Sequence, residues 1–315
     1  MDILIIVCVA LAVIFGIAVG FLVWGFNYAC RGKRKGDVSE TGRLDVKGFG
    51  AEINSGAEWV RNASGRFVSI ESYDGLKLSA RYLEREDSDV CVVMMHGYRS
   101  APEIDFSMAA KSYYINGYSV LLPYQRAHGI SEGKYITYGV RESRDCKDWV
   151  EYAVNTLGKK RIILSGMSMG TATVLFAAGL GLPENVVGIT ADCGFTCPAE
   201  IIGRVMEGMH VPSRIVLPIL NLLFKHVAGF DAYAHNTVDA MKENKIPVLF
   251  IHGENDGFVP CEMTLRNYEA CAAPKTLITV PGADHGVSYL VDKEYVGLAL
   301  RKFFAEVLCE EKQWI

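Results

Sequence analysis

Positions 3 to 24 are apolar or small, with no charged side chain in 22 residues. As a helix rising about 1.5 Å per residue this run is roughly 33 Å long, enough to cross the hydrocarbon core of a bilayer. Arg31, Lys33, Arg34 and Lys35 follow it, whereas Asp2 is the only charged side chain ahead of it. Basic flanks stay cytoplasmic, so residues 1–30 are expected to form a single-pass anchor with the rest of the chain in the cytoplasm. A cleaved secretory signal would carry positive charge before its apolar run, and none is there. Residues 31–65 are polar, contain several glycines and show no sustained period; they read as a linker.

From Arg66 onward, short apolar runs alternate with helical patterns. The runs predict strands over 67–72, 76–83, 90–95, 119–122, 161–165, 187–191, 248–252 and 276–280. Tyr73-Asp74-Gly75 separates the first two as a hairpin turn would. The later runs are short and continuously apolar, as parallel strands buried on both faces should be. Helical patterns lie at 103–116, 141–156, 169–180, 261–271 and 292–308. This alternation predicts an α/β domain over 66–315, with a mostly parallel sheet of about eight strands and helices on both faces. Residues 199–240 are too long for an ordinary connection. They carry two apolar helical patterns, around Ile201–Met209 and Ile215–Val227, and are expected to form a small helical lid.

The net charge of −4 gives no basic surface for a nucleic acid. Nine cysteines, scattered without regular spacing, do not describe a disulfide framework and fit a reducing compartment. Cys193-x-x-x-Cys197 lacks two further ligands at a matching spacing, so the pair is read as buried thiols and not as a metal half-site. Walker-type loops, dinucleotide fingerprints and H-E-x-x-H motifs are missing, and no cofactor or metal is implied.

The chemistry is expected at Gly166-Met167-Ser168-Met169-Gly170, a G-x-S-x-G motif between a predicted strand and a predicted helix. A reversal that tight strains the backbone and projects the Ser168 hydroxyl above the sheet. Gly166 and Gly170 leave room for neighbouring backbone. A serine needs a base and an orienting acid. Asp256 follows the strand at 248–252, and His285 follows the strand at 276–280, both at carboxyl ends where α/β sites collect. Glu254 and Asp284 are weaker candidates for the acid, and His96 and His252 read as structural. Backbone amides of Tyr98, after the strand at 90–95, and of Met169 are the candidate oxyanion donors.

These residues resemble the α/β-hydrolase superfamily. His96-Gly97-Tyr98, Gln125-Arg126-Ala127-His128-Gly129, the Ser168 pentapeptide, the stretch from His252 to Pro260 and Gly282-Ala283-Asp284-His285-Gly286 carry the likeness, over about residues 66–310. Within the superfamily the chain looks like bacterial membrane-anchored serine hydrolases related to acylaminoacyl-peptidase and serine-aminopeptidase-like proteins. The family's Asp-x-Arg-Gly-His-Gly is altered here, with Gln125 and Ala127 at two of its positions. The resemblance implies a Ser168–His285–Asp256 triad and an acyl-enzyme. The expected substrate is a small or lipid-derived ester, thioester or amide, reached from the membrane side. Two other readings stay open. One is an aminopeptidase, with Glu200, Glu207 or Asp231 holding a free amine; the other is a non-catalytic binding protein on the same scaffold. The anchor carries no candidate catalytic residue, so a chain beginning near Gly36 is expected to stay active.

Overall fold

The computed structural model describes residues 3–32, 48–310 and 314. An eight-stranded sheet organises them, with strands β1 (Arg66–Glu71), β2 (Lys77–Leu83), β3 (Val90–Met95), β4 (Ser119–Pro123), β5 (Arg161–Met167), β6 (Val186–Asp192), β7 (Val248–Gly253) and β8 (Lys275–Val280). Their spatial order is β1-β2-β4-β3-β5-β6-β7-β8. Strand β2 is antiparallel to both neighbours, and β3 through β8 run parallel. Each predicted strand is present within two residues at either end. The reason is visible in β3, where all six residues of Val-Cys-Val-Val-Met-Met are buried, as a two-faced parallel core requires.

The helices are α1 (Ile3–Cys30), α2 (Gly50–Asn62), α3 (Pro102–Asp105), α4 (Ala109–Ile115), α5 (Glu142–Asn155), α6 (Met169–Ala178), α7 (Pro198–Gly208), α8 (Ser213–Leu223), α9 (Thr237–Glu243), α10 (Cys261–Ala270), α11 (Ser288–Val291) and α12 (Lys293–Leu308). One face of the sheet packs on α5, α6 and α9, around Trp149, Val174 and Met241. The other packs on α2, α4 and α12, around Val60, Tyr113 and Phe304. Helices α7 and α8, followed by a wide helical turn over Phe224–Ala228, fill the 199–240 segment.

Two expectations need correction. The pattern at 103–116 is not one helix: it breaks between α3 and α4. Asp105 accepts hydrogen bonds from the Gly97 amide and the Ser100 hydroxyl, while Phe106 turns into the core. The stretch 31–65 is not linker throughout. Residues 33–47 lie outside the described residues, but α2 occupies 50–62 and buries Ile53, Ala57 and Val60, spaced four and three apart. At Gly56 a side chain would meet the Ser107 carbonyl at 2.6 Å, so glycine permits the helix to dock at the α3–α4 break.

Helix α1 is long and apolar enough to cross a membrane. It is also continuous with the domain. Phe26, Ala29 and Cys30 are buried in one cluster with Leu217, Leu220 and Phe224. Beyond the helix, the Gly32 amide bonds to the Lys134 carbonyl and the Ile136 amide to the Cys30 carbonyl. A chain beginning near Gly36 would lack this part of the core, which removes the reason for expecting the anchor to be separable.

Candidate active site

Ser168 sits between β5 and α6 with φ 56° and ψ −115°, a left-handed backbone that a serine adopts only when its surroundings impose it. The imposition is steric. A Cβ on Gly170 would lie 1.7 Å from the Met95 carbonyl oxygen, and one on Gly166 would lie 2.5 Å from the Gly170 carbonyl oxygen. Only glycines at both positions let β3, β5 and α6 approach closely enough to raise the hydroxyl above the sheet.

Loops after β7 and β8 bring the predicted partners to it. His285 Nε2 lies 2.9 Å from the Ser168 hydroxyl oxygen, and His285 Nδ1 lies 2.6 Å from Asp256 Oδ2. With Nδ1–H donating to the carboxylate, Nε2 is left to accept from the serine. Ser168 and Asp256 are buried, and the His285 side chain is only 9% exposed. Asp256 is held by four donors: the amides of Phe258 and Val259 reach Oδ1, and His285 and His252 reach Oδ2. Burial acts to raise its pKa, but the bonds from His252 and His285 outweigh burial and hold the carboxyl well below its usual range.

The competing candidates have other employment. Asp284 accepts from the Gly257 and His285 amides, tying the two loops together. Glu254 accepts from the Thr279 hydroxyl at the surface. His252 is fully buried between Thr264, Asp256 and the Val259 carbonyl. His96 Nε2 accepts from the Gln125 amide while Nδ1–H donates to the Gly97 carbonyl; burial pushes its pKa down to about 4. His128 accepts from the Arg99 amide and donates to the Arg126 carbonyl. The two neutral rings meet edge-on at 4.8 Å and pin the loop after β3.

That loop carries Tyr98. The Gly97 amide is committed to Asp105, and a side chain on Gly97 would touch the Ser168 Cβ at 3.4 Å, so the loop passes directly against the nucleophile. Tyr98 is the next residue along, and Met169 opens α6 immediately after Ser168. Gln125 and Ala127, at the altered family positions, are both used. The Gln125 amide group bonds to the His96 carbonyl and accepts from Thr173, and Ala127 takes a left-handed φ of 62°. Arg126 beside them makes a buried bidentate pair with Asp145 at 2.6 Å.

Three features escaped the sequence reading. Asp192, at the end of β6, is partly buried with one carboxyl oxygen enclosed, and desolvation together with the nearby Asp256 charge pushes its carboxyl up to about 7, with His252 opposing. Cys193 follows it with φ 45°, and its sulfur, Asp256 and His285 have ligand atoms within 4.8 Å of one another. Asp256 and His285 already share a direct 2.6 Å hydrogen bond, so this trio is not arranged around a cation. Lastly, the Ser168 side chain opens into an apolar cavity of about 160 Å³ whose walls include Trp24 and Tyr28 of α1. A larger cavity of about 310 Å³ reaches His285 from the other side without touching Ser168. No pattern in the sequence marks a membrane-type helix as a cavity wall.

Residues 91–246 match the family model of the alpha/beta hydrolase fold. The YqkD protein of Bacillus subtilis is 28% identical over 240 residues, which are 75% of this chain and 78% of that one. The thiohydrolase aneE of Aspergillus aculeatus is 41% identical over 185 residues, 52% of this chain and 58% of its own length. Among solved structures, the esterase Pf2001 of Pyrococcus furiosus superposes with a TM-score of 0.62 at 25% identity, covering 79% of this chain and 94% of that one.

Proposed function

From the α/β-hydrolase fold that this chain carries, we propose that it is a serine hydrolase acting on carboxylic esters or thioesters of apolar acyl groups. The observation that carries this reading is the unbroken hydrogen-bonded line from Ser168 through His285 to Asp256, at 2.9 and 2.6 Å.

In the first half-reaction the Ser168 oxygen attacks the carbonyl carbon, and its proton passes to His285 Nε2. Asp256 holds the imidazole in the required tautomer and balances the imidazolium that forms. The Tyr98 and Met169 amides face the developing oxyanion; one such donor is worth about 10²–10³ in turnover. Collapse breaks the bond to the leaving oxygen or sulfur, which takes the proton from Nε2. Water then attacks the acyl-Ser168 ester, gives a proton to Nε2, and releases the carboxylic acid as Ser168 recovers its proton.

Within the superfamily we place the chain beside membrane-anchored hydrolases resembling acylaminoacyl-peptidase, on the ester side of their chemistry. A peptidase of free N-termini needs an unpaired carboxylate near the site. Glu200 is paired with Arg266 at 2.6 Å and Asp231 with Lys225 at 3.0 Å, and Glu207 accepts from Ser213 at the surface. The relative named as a thiohydrolase and the esterase neighbour lie on the same side of that choice. Cytoplasmic placement rests on the basic residues after α1. Burial of the end of α1 in the domain core speaks for a retained anchor over a cleaved leader.

Ser168→Ala should lower turnover of a p-nitrophenyl ester by about 10⁶ if the three side chains act as a unit. A fluorophosphonate probe should label the unaltered protein and leave that variant unlabelled. Equal labelling of both would refute the assignment of the nucleophile.

A further inference from the structure

The cavity at Ser168 is not built from the hydrolase domain alone. On one side stand Met206 of α7 and Leu220 of α8; on the other stand Phe21, Trp24, Gly25 and Tyr28, from the last ten residues of α1. The two sides meet where Gly25 faces Leu220: a Cβ there would sit 3.6 Å from the leucine methyl group, an ordinary contact. Phe21, Trp24 and Tyr28 form a continuous stack with centroid spacings of 5.8 and 5.4 Å.

Length fixes where this wall lies. About 20 residues fill the roughly 30 Å hydrocarbon core, and α1 has 28, so its final turns emerge on the domain side. Phe21, Trp24 and Tyr28 fall at that depth, where aromatic rings collect at membrane interfaces. Helix α8 beside them turns Leu217 and Leu220 inward and leaves Ile215, Ile219 and Leu222 exposed, an apolar row at helical spacing that continues the apolar surface of α1. The domain grips the end of α1 as well. Arg99 donates to the Tyr28 carbonyl at 2.6 Å, and the Tyr98 hydroxyl lies 2.9 Å from the Ala29 carbonyl. Thus the loop carrying the Tyr98 amide is braced against the membrane-type helix.

We infer that the last turns of α1 form one wall of the acyl pocket, so that the helix selects the substrate: a single apolar acyl chain of medium or greater length, entering from the bilayer. This rests on the serine-hydrolase reading and adds to it the selecting element and the route of entry. A volume of about 160 Å³ is close to that of an engineered apolar cavity that accepts benzene, so about six carbons fit before the chain must turn out toward the membrane side. Acetyl groups would leave the cavity empty and forgo the burial of each missing methylene, roughly a four-fold loss apiece.

The test uses the full-length protein in lipid nanodiscs and a series of p-nitrophenyl esters from acetate to dodecanoate. The unaltered protein should prefer hexanoate or longer. Gly25→Phe, which fills the cavity from the α1 side, should lower the octanoate-to-acetate ratio of kcat/KM at least about ten-fold, the scale on which pocket contacts discriminate methylenes. Trp24→Ala, which removes a wall without adding bulk, should move the preferred length upward. Val13→Phe, on the exposed membrane-type part of α1, should keep the original ratio. If the Gly25 and Trp24 variants both keep the original profile while still reacting with fluorophosphonate, α1 is not a wall and the inference is overturned. A sharp preference for acetate in the unaltered protein overturns the substrate class. Failure of the unaltered protein to label or hydrolyse any ester would instead defeat the serine-hydrolase reading beneath it.

Discussion

At the scale of single residues, charge burial around Ser168 is uneven. Asp256 keeps its charge because four donors surround it, whereas Asp192 has one carboxyl oxygen buried without a hydrogen-bond partner. A carboxyl whose folded-state value is about 7, against 3.8 ordinarily, holds its proton more tightly when folded. Its contribution to stability is fully present below about 3.8 and is lost as pH rises through about 7, after which the fold must carry a buried charge. Asp192→Asn removes that liability. The variant should gain on the parent as pH rises, by up to about 4 kcal/mol for a shift of this size at about 1.36 kcal/mol per unit. Thermal unfolding at about pH 5 and about pH 8 checks this; a stability difference that stays the same at both sets aside the buried-charge account. The stretch Ala191–Pro198 resembles the family's segment after the sixth strand, but nothing local marks the Asp192 carboxyl as enclosed, because that arises from β6 lying between β5 and β7, with partners far along the chain. That Ser168, Asp256 and His285 come together was legible because each lies at or a few residues past the carboxyl end of an apolar strand run.

At the scale of elements, strands proved easier to read than helices. A strand buried on both faces must be apolar throughout, and that leaves a mark on any short window. Helix α2 left none: three buried side chains among small and charged residues suffice when Gly50 and Gly56 also face the core. The contact between α1 and the loop after β3 is equally silent in sequence. Arg99 reaches the carbonyls of Asn27, Tyr28 and Arg31 and lies over the Tyr28 and Tyr98 rings, so a cation from the domain caps the C-terminus of α1. The Arg99 backbone stays tied to His128 whatever its side chain, so Arg99→Ala isolates the cap. The variant should lose about 1–2 kcal/mol of stability, the sum expected of a C-terminal cation and its ring contacts. Chemical denaturation in detergent measures it, and a loss below about 0.3 kcal/mol would mean the cap is idle.

At the scale of the whole molecule, α1 has two environments. Its first two-thirds are exposed and apolar, and its end is buried in the domain. A leader peptide removed on export would take part of the core with it. The full chain should therefore stay in the membrane fraction after an alkaline carbonate wash, with a mature N-terminus that still includes the apolar run. Release into the supernatant, or an N-terminus beginning within residues 20–35, would exclude the anchor. The linear chain by itself determined the alternation of strands and helices, the strained serine turn, which histidine and aspartate come to lie in hydrogen-bonded line with that serine, and a segment fit for a bilayer. Each is written in local spacing, where period, glycine placement and strand ends leave a direct record. Only the folded arrangement decided that the Asp192 carboxyl is raised toward neutral pH beside the site, that α2 belongs to the core, and that a membrane-type helix lines the cavity at Ser168. Those outcomes come from contacts between residues tens to hundreds of positions apart, and such contacts imprint no period on either partner.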